Sequence, residues 1–220
     1  MKRVLITGGS RGIGKAIAEL YKVRGWQVLT PTRQEMNLSD CKSIESYCLS
    51  LDGPINAIVN NAGINNIATL DQLSGVLFEE MLQVNLKAPV QIVRCLQDKL
   101  IEQHISHVVN ISSIWGFVSK PGRLGYAAAK TGIIGATRTM ALELGKHNVL
   151  VNAVAPGFVN TELTKQNNTP EQIAEIEEML PLKRMAEPEE IAKFVYFLAS
   201  DENTFITGQT ILIDGGYTCQ

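Results

Sequence analysis

Six short runs of β-branched and other apolar residues alternate along this chain with longer stretches of helical pattern. The runs are RVLIT at 3–7, WQVLT at 26–30, AIVNNA at 57–62, HVVNIS at 107–112, LVNAVAP at 150–156 and TILID at 210–214. This alternation predicts an α/β fold in which one parallel sheet is covered by helices on both faces. A chain of 220 residues can bury one large core, so we expect a single domain over residues 1–220.

Three of the intervening stretches predict long helices. Residues 12–25 have apolar residues on one helical face and end in a glycine stop at Gly25. Residues 74–103 are also helical in pattern, and Pro89 predicts a kink within them. Residues 126–146 form the third stretch.

Charge and cysteine content argue against several classes of partner. Twenty basic and 22 acidic residues give a net charge of −2 without a Lys/Arg cluster, so nucleic acid is not an expected partner. The apolar run before Thr7 is too short for a signal peptide and no run approaches a membrane span, so we expect a cytoplasmic protein without membrane contact. The four Cys and three His residues have no metal-ligand spacing, and no metal is expected.

The segment TGGSRGIG at 7–14 follows the first predicted strand and opens a helix. In that context Gly8, Gly12 and Gly14 can provide a tight turn, a close approach of backbone to phosphate and close packing of helix on strand. The start of the helix adds free N–H groups and a partial positive charge. Because the spacing is GxxxGxG, the segment alone indicates either a nucleotide site or an ordinary glycine-rich turn.

Seven motifs in the same order resemble those of the short-chain dehydrogenase/reductase family. They are TGGSRGIG, NNAG at 60–63, VNL at 84–86, NISS at 110–113, YAAAK at 126–130, PGFVNT at 156–161 and IDGG at 213–216. The resemblance covers essentially the whole chain and is strongest to the 3-oxoacyl carrier-protein reductases. It implies a Rossmann-type doubly wound sheet and an oxidoreductase that interconverts a small-molecule ketone and a secondary alcohol with a nicotinamide cofactor.

The residues that match the family's catalytic set are Asn85, Ser113, Tyr126 and Lys130. Tyr126 and Lys130 share one helix face, where the ammonium and an oxidised nicotinamide would lower the pKa of the phenol toward the operating pH. The family's serine lies thirteen residues before the tyrosine, which selects Ser113 over Ser112 as donor to the substrate carbonyl and leaves Ser112 to support the loop. Asn85 would hold a water that links Lys130 to solvent, or it satisfies a local break in its helix.

The resemblance also implies a set of cofactor contacts. The glycine loop would hold the pyrophosphate, the segment after the second strand and the NNAG motif the adenosine, and the PGFVNT motif the nicotinamide. Tyr126 and Lys130 complete the set, and Lys130 would hydrogen-bond the nicotinamide ribose. The other contacts are Gly8, Ser10, Arg11, Gly12, Ile13, Gly14, Thr32, Arg33, Asn37, Leu38, Asn60, Ala62, Gly63, Pro156, Gly157, Phe158 and Thr161.

The end of the second predicted strand favours NADP(H) over NAD(H). NAD-binding folds usually place an acidic residue there to bind the ribose 2′-hydroxyl, and VLTPTRQ at 28–34 has none. Arg33, or Arg11 in the glycine loop, can instead bind a 2′-phosphate through a planar guanidinium. Both arginines can equally be solvated surface residues, and Glu35 nearby keeps NAD(H) as the alternative.

One segment departs from the family pattern. Between Thr30 and the MNL run at 36–38 there are too few residues for a crossover helix. We therefore expect that helix to be missing and the third strand, at 36–38, to be short or irregular. Asn37 and Leu38 match the position where the family has Asp and an apolar residue beside the adenine, so the adenosine pocket is expected to be more open.

The segment after PGFVNT predicts a substrate lid over residues 160–188, in which Thr169-Pro170 opens a Glu-rich helix. Candidates for an apolar substrate pocket, or for the core, are Ile64, Trp115, Phe117, Phe158 and Leu163. Arg123, three residues before Tyr126, is expected to be a solvated loop residue, with contact to an anionic substrate group as the alternative.

The favoured function is an NADP(H)-dependent oxidoreductase, because the catalytic set is complete. An NAD-dependent alcohol dehydrogenase of the same family is the first alternative. A non-catalytic nucleotide-binding regulatory protein is the second, although such proteins typically lose the tyrosine or the lysine. The family commonly packs its long helices into a four-helix contact between subunits, so a homo-oligomer, either a tetramer or a dimer, is expected.

Overall fold

The computed structural model describes residues 1–219, without the side chains of Leu163 and Asn167. The strands in this range are β1 (Arg3–Ile6), β2 (Gln27–Leu29), β3 (Ala57–Asn60), β4 (Ser106–Ile111), β5 (Val149–Pro156) and β6 (Thr210–Ile213). The α-helices are α1 (Gly12–Val23), α2 (Cys41–Ser50), α3 (Gly75–Leu82), α4 (Ala88–Ile101), α5 (Leu124–Leu144), α6 (Glu162–Asn167), α7 (Pro170–Met179) and α8 (Pro188–Leu198). A π-helical turn (Gln83–Lys87) joins α3 to α4, and 3-10 turns lie at Ile114–Gly116, Gly145–His147 and Tyr217–Cys219.

The six strands run parallel in one sheet of order β2-β1-β3-β4-β5-β6. They coincide with the six predicted runs, and helices cover both faces, which confirms the predicted α/β fold. Strands β3, β4 and β5 are buried along their whole length, as expected when helices pack on both sides of a sheet.

Alternate side chains of each strand enter two different apolar cores. Leu5 of β1 and Ile58 of β3 pack with α2, α4 and α5 on one face of the sheet. Val4, Ile6 and Val59 pack with α1 and α8 on the other face. The two-residue repeat of a strand produces this division and leaves only the strand ends free to form a site.

The chain leaves β1 and β3, which lie side by side, toward opposite faces of the sheet. From β1 it crosses through α1 to β2, and from β3 it crosses through α4 to β4 on the other face. Diverging connections open a crevice at the carboxyl ends of two neighbouring parallel strands, and ligands bind there in folds of this kind.

The described stretch between β2 and α2 contains neither helix nor strand. The missing helix is therefore confirmed, but the expected strand at 36–38 is wrong. The backbone N–H groups there are bound locally, that of Met36 to the carbonyl of Thr32 (2.9 Å) and that of Asn37 to the hydroxyl of Ser43 (2.9 Å). With no strand beyond it in this range, β2 forms the edge of the sheet.

The helical stretch predicted over 74–103 is interrupted one turn before its proline. The π-helical turn covers Gln83–Lys87, whereas Pro89 lies in the first turn of α4. The kink expected at Pro89 is therefore displaced toward the N-terminus. Pro89 has no N–H to donate to the carbonyl of Asn85, four residues earlier. Asn85 lies in the middle of the π-helical turn, which is wider than a turn of α-helix.

The segment predicted as a lid contains α6, α7 and the loop that leads to α8. Thr169 opens α7 as predicted, through a capping box with Gln172. Ile176 of α7 is buried in a small separate core, against which Phe158 and Tyr217 pack.

Residues 1–219 contain no helix that is both long and apolar enough to cross a membrane. In the same range, no three His, Cys, Asp or Glu side chains are grouped so that they could hold a metal ion.

Tyr21 fastens α1 to the C-terminal end of α8. Its side chain is fully buried, and its hydroxyl donates to the carbonyl of Ala199 at 2.8 Å. Its ring meets those of Trp26 and Tyr196 edge-on at 5.0 Å and 4.9 Å. Because α1 starts at the glycine loop, this contact also helps to orient the first turn of α1 at the crevice.

Tyr21→Phe is expected to lower the free energy of unfolding by about 1–2 kcal/mol, because it keeps the ring and leaves a buried carbonyl without its donor. Urea unfolding measures the loss. The matched control is Tyr47→Phe, since the Tyr47 hydroxyl has no hydrogen bond among the described residues, and it should change stability by less than about 0.5 kcal/mol. Equal losses in the two variants would contradict the role of the Tyr21 hydroxyl.

Candidate active site

A cavity of about 760 Å³ opens at the carboxyl ends of β1, β3, β4 and β5. Segments that directly follow these strands build most of its wall, at 7–14, 61–65, 111–113 and 156–159. The volume falls in the range usual for small-molecule sites. The cavity therefore occupies the crevice that the strand order creates.

Backbone constraints at three positions shape the glycine loop. Gly8 and Gly12 have φ values of +68° and +53°, which residues with a side chain rarely adopt. A Cβ at Gly14 would lie 2.1 Å from the carbonyl oxygen of Gly8, so only glycine lets α1 start this close to the loop. The first turn of α1 has no acidic residue and no side-chain cap, which leaves its N–H groups free for an anion. The other loop residues in the wall are Ser10, Arg11 and Ile13.

A hydroxyl and an amide tie the ends of β1 and β3 together. The Thr7 hydroxyl accepts the N–H groups of Asn61 and Ala62, both at 3.0 Å. The Asn61 side chain donates to the carbonyls of Thr7 (3.0 Å) and Gly8 (3.1 Å). Thr7 and Asn61 both line the cavity, and the sequence analysis assigns a role to neither. Their position just past the last residue of a strand is the signal that could have found them.

Asn60, a predicted cofactor contact, lies outside the cavity wall. It is buried, and its Nδ2 donates to Asn110 Oδ1 at 2.8 Å, while Asn110 donates to the Thr137 hydroxyl of α5 at 2.9 Å. Because side chains alternate along β3, Asn60 faces α5 and the next residue reaches the crevice. Asn60 stays a predicted cofactor contact, to which the structure adds Asn61 as a residue of the cavity wall.

Ser113, Tyr126 and Lys130 meet in the cavity wall, and Asn85 is buried close behind it. The Nζ atom of Lys130 donates to the carbonyl of Ile111 at 2.7 Å and lies 5.4 Å from the centroid of the Tyr126 ring. The Ser113 side chain lies close enough to that of Tyr126 to lower its pKa, and Ser113 Oγ accepts the N–H of Trp115 at 3.2 Å. Three of the four predicted catalytic residues therefore face the same space.

Asn85 is held by three hydrogen bonds inside the π-helical turn. Its Oδ1 accepts the Ile64 N–H (3.1 Å), and its Nδ2 donates to the carbonyls of Ile64 (3.0 Å) and Met81 (2.9 Å). A Cβ at Gly63 would lie 2.6 Å from Asn85 Oδ1 and 3.6 Å from Lys130 Nζ. Asn85 thus holds the loop after β3 in place next to Lys130. The close contact of the loop with the Asn85 side chain requires glycine at position 63.

Burial dominates the titration of both Tyr126 and Lys130. It lowers the pKa of the Lys130 ammonium to about 8. It raises the pKa of the Tyr126 phenol to about 12, although the hydrogen bond from Ser113 and the charge of Arg123 both act to lower it. The lowering of the Tyr126 pKa expected with an oxidised nicotinamide bound is not present in the protein alone, because desolvation of the phenolate outweighs these two effects.

Ser112 has the supporting role that the sequence predicts. Its hydroxyl donates to the carbonyl of Lys130 at 2.8 Å and so ties the end of β4 to α5. A Cβ at Gly116 would lie 2.9 Å from the same carbonyl, so the chain after β4 passes very close to the helix.

The loop after β2 forms another part of the wall, with Thr32, Arg33, Asn37 and Leu38. Glu35 is not in the wall, because its carboxylate accepts the N–H of Thr32 at 2.7 Å, a bond that lowers the pKa of the carboxyl. Among the ion pairs of residues 1–219, none includes Arg33 or Arg11.

The predicted apolar pocket is only partly present. Ile64, Trp115 and Phe158 line the cavity, and the rings of Trp115 and Phe158 meet edge-on at 6.2 Å. Phe117 is 47% exposed and outside the wall, so neither a pocket nor a core position is correct for it. The side chain of Leu163 lies outside the described residues. The remaining predicted contacts in the wall are Ala62, Gly63, Pro156, Gly157 and Thr161.

Arg123 is not the solvated loop residue that the sequence predicts. It is 8% exposed, directly precedes α5, and donates through Nη1 to Asn65 Oδ1 at 2.7 Å. Burial lowers the pKa of its guanidinium. Asn65 and Trp115 line the cavity, so Arg123 directly adjoins its wall.

Comparison with known proteins gives a consistent class. A family model described as enoyl-(acyl carrier protein) reductase matches residues 37–218. The 3-oxoacyl-[acyl-carrier-protein] reductase FabG of Thermotoga maritima is 36% identical over 98% of this chain and 97% of its own, and that of Aquifex aeolicus is 38% identical over 96% and 95%.

Solved structures agree with this class. A 4-hydroxyisoleucine dehydrogenase complexed with NADH is 30% identical, with a TM-score of 0.94 over the whole of both chains. A putative NAD(P)-dependent gluconate 5-dehydrogenase from Beutenbergia cavernae with bound NADP is 30% identical, with a TM-score of 0.91 over 100% of this chain and 97% of its own.

The chain belongs to the short-chain dehydrogenase/reductase family of oxidoreductases. Within it, the curated relatives at 36% and 38% identity are 3-oxoacyl-[acyl-carrier-protein] reductases, to which this chain is similar along almost its entire length.

Lys130→Met is expected to stabilise the fold at pH 7 by up to about 3 kcal/mol, because it removes a buried charge whose pKa falls from its usual value near 10.4 to about 8. Below pH 8 the lysine is protonated in both states, and the folded state carries the full burial cost. Between about pH 8 and 10.4 the unfolded chain binds more protons, so the cost falls and the advantage of the variant should shrink.

Urea unfolding at pH 7 and pH 10 measures this difference. Lys146→Met, at an exposed lysine just after α5, is the control and should change little at either pH. An advantage of Lys130→Met that stays the same size at pH 10 would show that its origin is packing and not charge.

Proposed function

We propose that this chain is an NADP(H)-dependent oxidoreductase that interconverts a small-molecule ketone and a secondary alcohol, with Tyr126 as the general acid and base. The observation that carries the proposal is the meeting of Ser113, Tyr126 and Lys130 in the wall of one cavity. Family membership supports it, as do the similar structures described with NADH or NADP bound.

The residues of the crevice fit a dinucleotide. The positive φ values at Gly8 and Gly12 keep side chains out of the loop, and the free N–H groups of α1 suit a pyrophosphate. At the other end, a Cβ at Gly157 would lie 2.8 Å from Asp214 Cα, so the turn after β5 stays tight beside the space for the nicotinamide. A nicotinamide held there would supply the hydride to the carbon atom of the substrate carbonyl in reduction, or accept it in oxidation.

The chain's own side chains handle the oxygen and its proton. Ser113 and Tyr126 donate hydrogen bonds to the substrate oxygen, and in reduction Tyr126 gives up its proton as negative charge develops there. In oxidation Tyr126 takes the proton from the alcohol. Lys130 stabilises the phenolate and holds the nicotinamide ribose, while Asn85 positions a water through which the proton is replaced from solvent.

The preference for NADP(H) is supported by the loop after β2. Glu35, the acidic residue that keeps NAD(H) as an alternative, is bound to the backbone of its own turn and does not line the cavity. Arg33 and Arg11 line it and form no ion pair within residues 1–219. Arg33 in this loop and Arg11 in the glycine loop, both without an ion pair in residues 1–219, suit a 2′-phosphate better than a 2′-hydroxyl.

Arg33→Ala is expected to weaken NADPH binding by about tenfold or more, because it removes a charge-assisted hydrogen bond, and to change NADH binding by less than about twofold. Isothermal titration with each nucleotide at fixed salt measures both constants. Arg138→Ala, at an exposed arginine on α5, is the control, and Arg11→Ala tests the other guanidinium.

Tighter binding of NADH than of NADPH would overturn the cofactor assignment and favour an NAD-dependent alcohol dehydrogenase. Binding of neither nucleotide would instead favour the non-catalytic regulatory alternative, in which the shortened adenosine side has lost its ligand.

Tyr126→Phe is expected to lower kcat/KM for ketone reduction by about 10²–10⁴-fold. Because burial raises the Tyr126 pKa to about 12, the phenol stays protonated through neutral pH, ready to donate. Alcohol oxidation needs the deprotonated Tyr126 as proton acceptor. The rate of oxidation should therefore rise from pH 6 to 10, while the rate of reduction varies little. Steady-state rates in both directions from pH 6 to 10 test this, with Tyr47→Phe as control. Undiminished activity of the Tyr126→Phe protein would remove Tyr126 from the mechanism.

Three further expectations stay predictions. The segment 160–188 as a substrate lid is supported by the packing of Phe158, a wall residue, against its small apolar core. A homo-oligomer is supported by Leu142 of α5, which is 84% exposed, and Phe205, which is 93% exposed. A cytoplasmic location rests on the sequence alone.

A further inference from the structure

Arg123 carries a buried positive charge without a negative partner. Only 8% of the residue is exposed, and its one direct hydrogen bond joins Nη1 to the neutral amide oxygen of Asn65. The Nε atom is buried with no hydrogen-bond partner. No carboxylate in residues 1–219 forms an ion pair with this guanidinium. Arginine is seldom buried unless it is paired, so a bound anion would be stabilised at this position.

A second cation, Lys120, lies beside the Trp115 ring that Arg123 contacts. The Arg123 guanidinium is 5.8 Å from the centroid of Trp115, and Lys120 Nζ is 5.6 Å from it. Burial and the charge of Arg123 both lower the pKa of Lys120. Two like charges on one indole repel each other, and a bound anion between them would offset that repulsion.

This pair of cations adjoins the reacting groups. Asn65 and Trp115, the two side chains that Arg123 contacts, both line the cavity. Arg123 is the residue just before the first turn of α5, three residues before Tyr126, and its charge acts on the Tyr126 phenol. The first turn of α5 has no acidic residue and no side-chain cap, so its free N–H groups favour an anion at the same place.

On the basis of the proposed oxidoreductase function, we propose that Arg123, with Lys120, binds a carboxylate of the substrate while Ser113 and Tyr126 hold its carbonyl oxygen. The spacing limits the substrate to one with a carboxylate only a few bonds from the reacting carbon. The substrate class is therefore a short oxo acid and its hydroxy acid. A neutral 3-oxoacyl thioester has no charge at this distance and would leave Arg123 unpaired.

The test compares 3-oxobutanoate with its methyl ester, which has the same carbonyl and no charge. With NADPH, the wild-type protein is expected to reduce the acid with a kcat/KM at least about tenfold above that of the ester. Arg123→Met keeps most of the side-chain volume and removes the charge. It should lower kcat/KM for the acid by about 10–100-fold, mainly through KM, and so abolish the preference for the acid over the ester.

Two other variants separate charge from packing. Arg123→Lys keeps the charge without the planar fork and should retain part of the preference for the acid. Arg138→Met removes an exposed arginine from the same helix and should leave the preference intact. Equal kcat/KM values of the wild-type protein for the ester and the acid would overturn the proposal. So would an Arg123→Met protein whose kcat/KM falls by the same factor for both substrates.

Reduction of the ester by the wild-type protein reports the oxidoreductase function separately from the anion site. If neither substrate is reduced, a binding measurement decides, because the anion site does not depend on turnover. Glutarate is expected to raise the melting temperature of the wild-type protein and not that of Arg123→Met, while the neutral glutaramide raises neither. The absence of a glutarate shift in the wild-type protein would reject the anion site whatever the outcome for activity.

Discussion

The parallel pairing of β1 with β3, with connections that leave toward opposite faces, is the constraint on which the site depends. It opens a crevice at the strand ends without any special residue. The Thr7 hydroxyl then fixes the two strand ends to each other by accepting the N–H groups of Asn61 and Ala62. These bonds hold the glycine loop and the loop after β3 side by side at the crevice.

A second constraint is the close contact between β4 and α5. The ammonium of Lys130 donates to the carbonyl of Ile111 in β4, and Ser112, one residue further, donates back to the carbonyl of Lys130. These two bonds run in opposite directions between the same segments, so α5 can neither slide nor rotate without breaking one of them. They place Tyr126, one turn earlier on α5, at the cavity. The close packing of α5 on β4 also buries both side chains, and this burial raises the pKa of Tyr126 and lowers that of Lys130.

Much of this arrangement could be predicted from the sequence, because strands and glycine turns leave strong local patterns. All six strands were expected, and most predicted contacts line the cavity because the residues after a parallel strand must meet at one edge. Asn61 lines the cavity while its neighbour Asn60 faces α5, because one step along a strand turns a side chain to the opposite face. The strand expected at 36–38 follows from the family position that MNL matches, but the N–H groups of Met36 and Asn37 are bound locally and pair with no strand.

Burial of charge was the property that local patterns could not predict. Arg123 lies in a segment that looks like an exposed loop, and only the packing of Trp115 and Asn65 around it removes it from water. Glu35 shows the reverse case, since it is exposed but its carboxylate is bound by the backbone of its own turn. Whether a charged group can select a ligand depends on whether the fold has already given it a partner, which is a property of the tertiary structure. Arg123 has none of opposite charge, and Glu35 has its N–H donor. The charges available to a ligand therefore favour anions both at the loop after β2 and beside Tyr126.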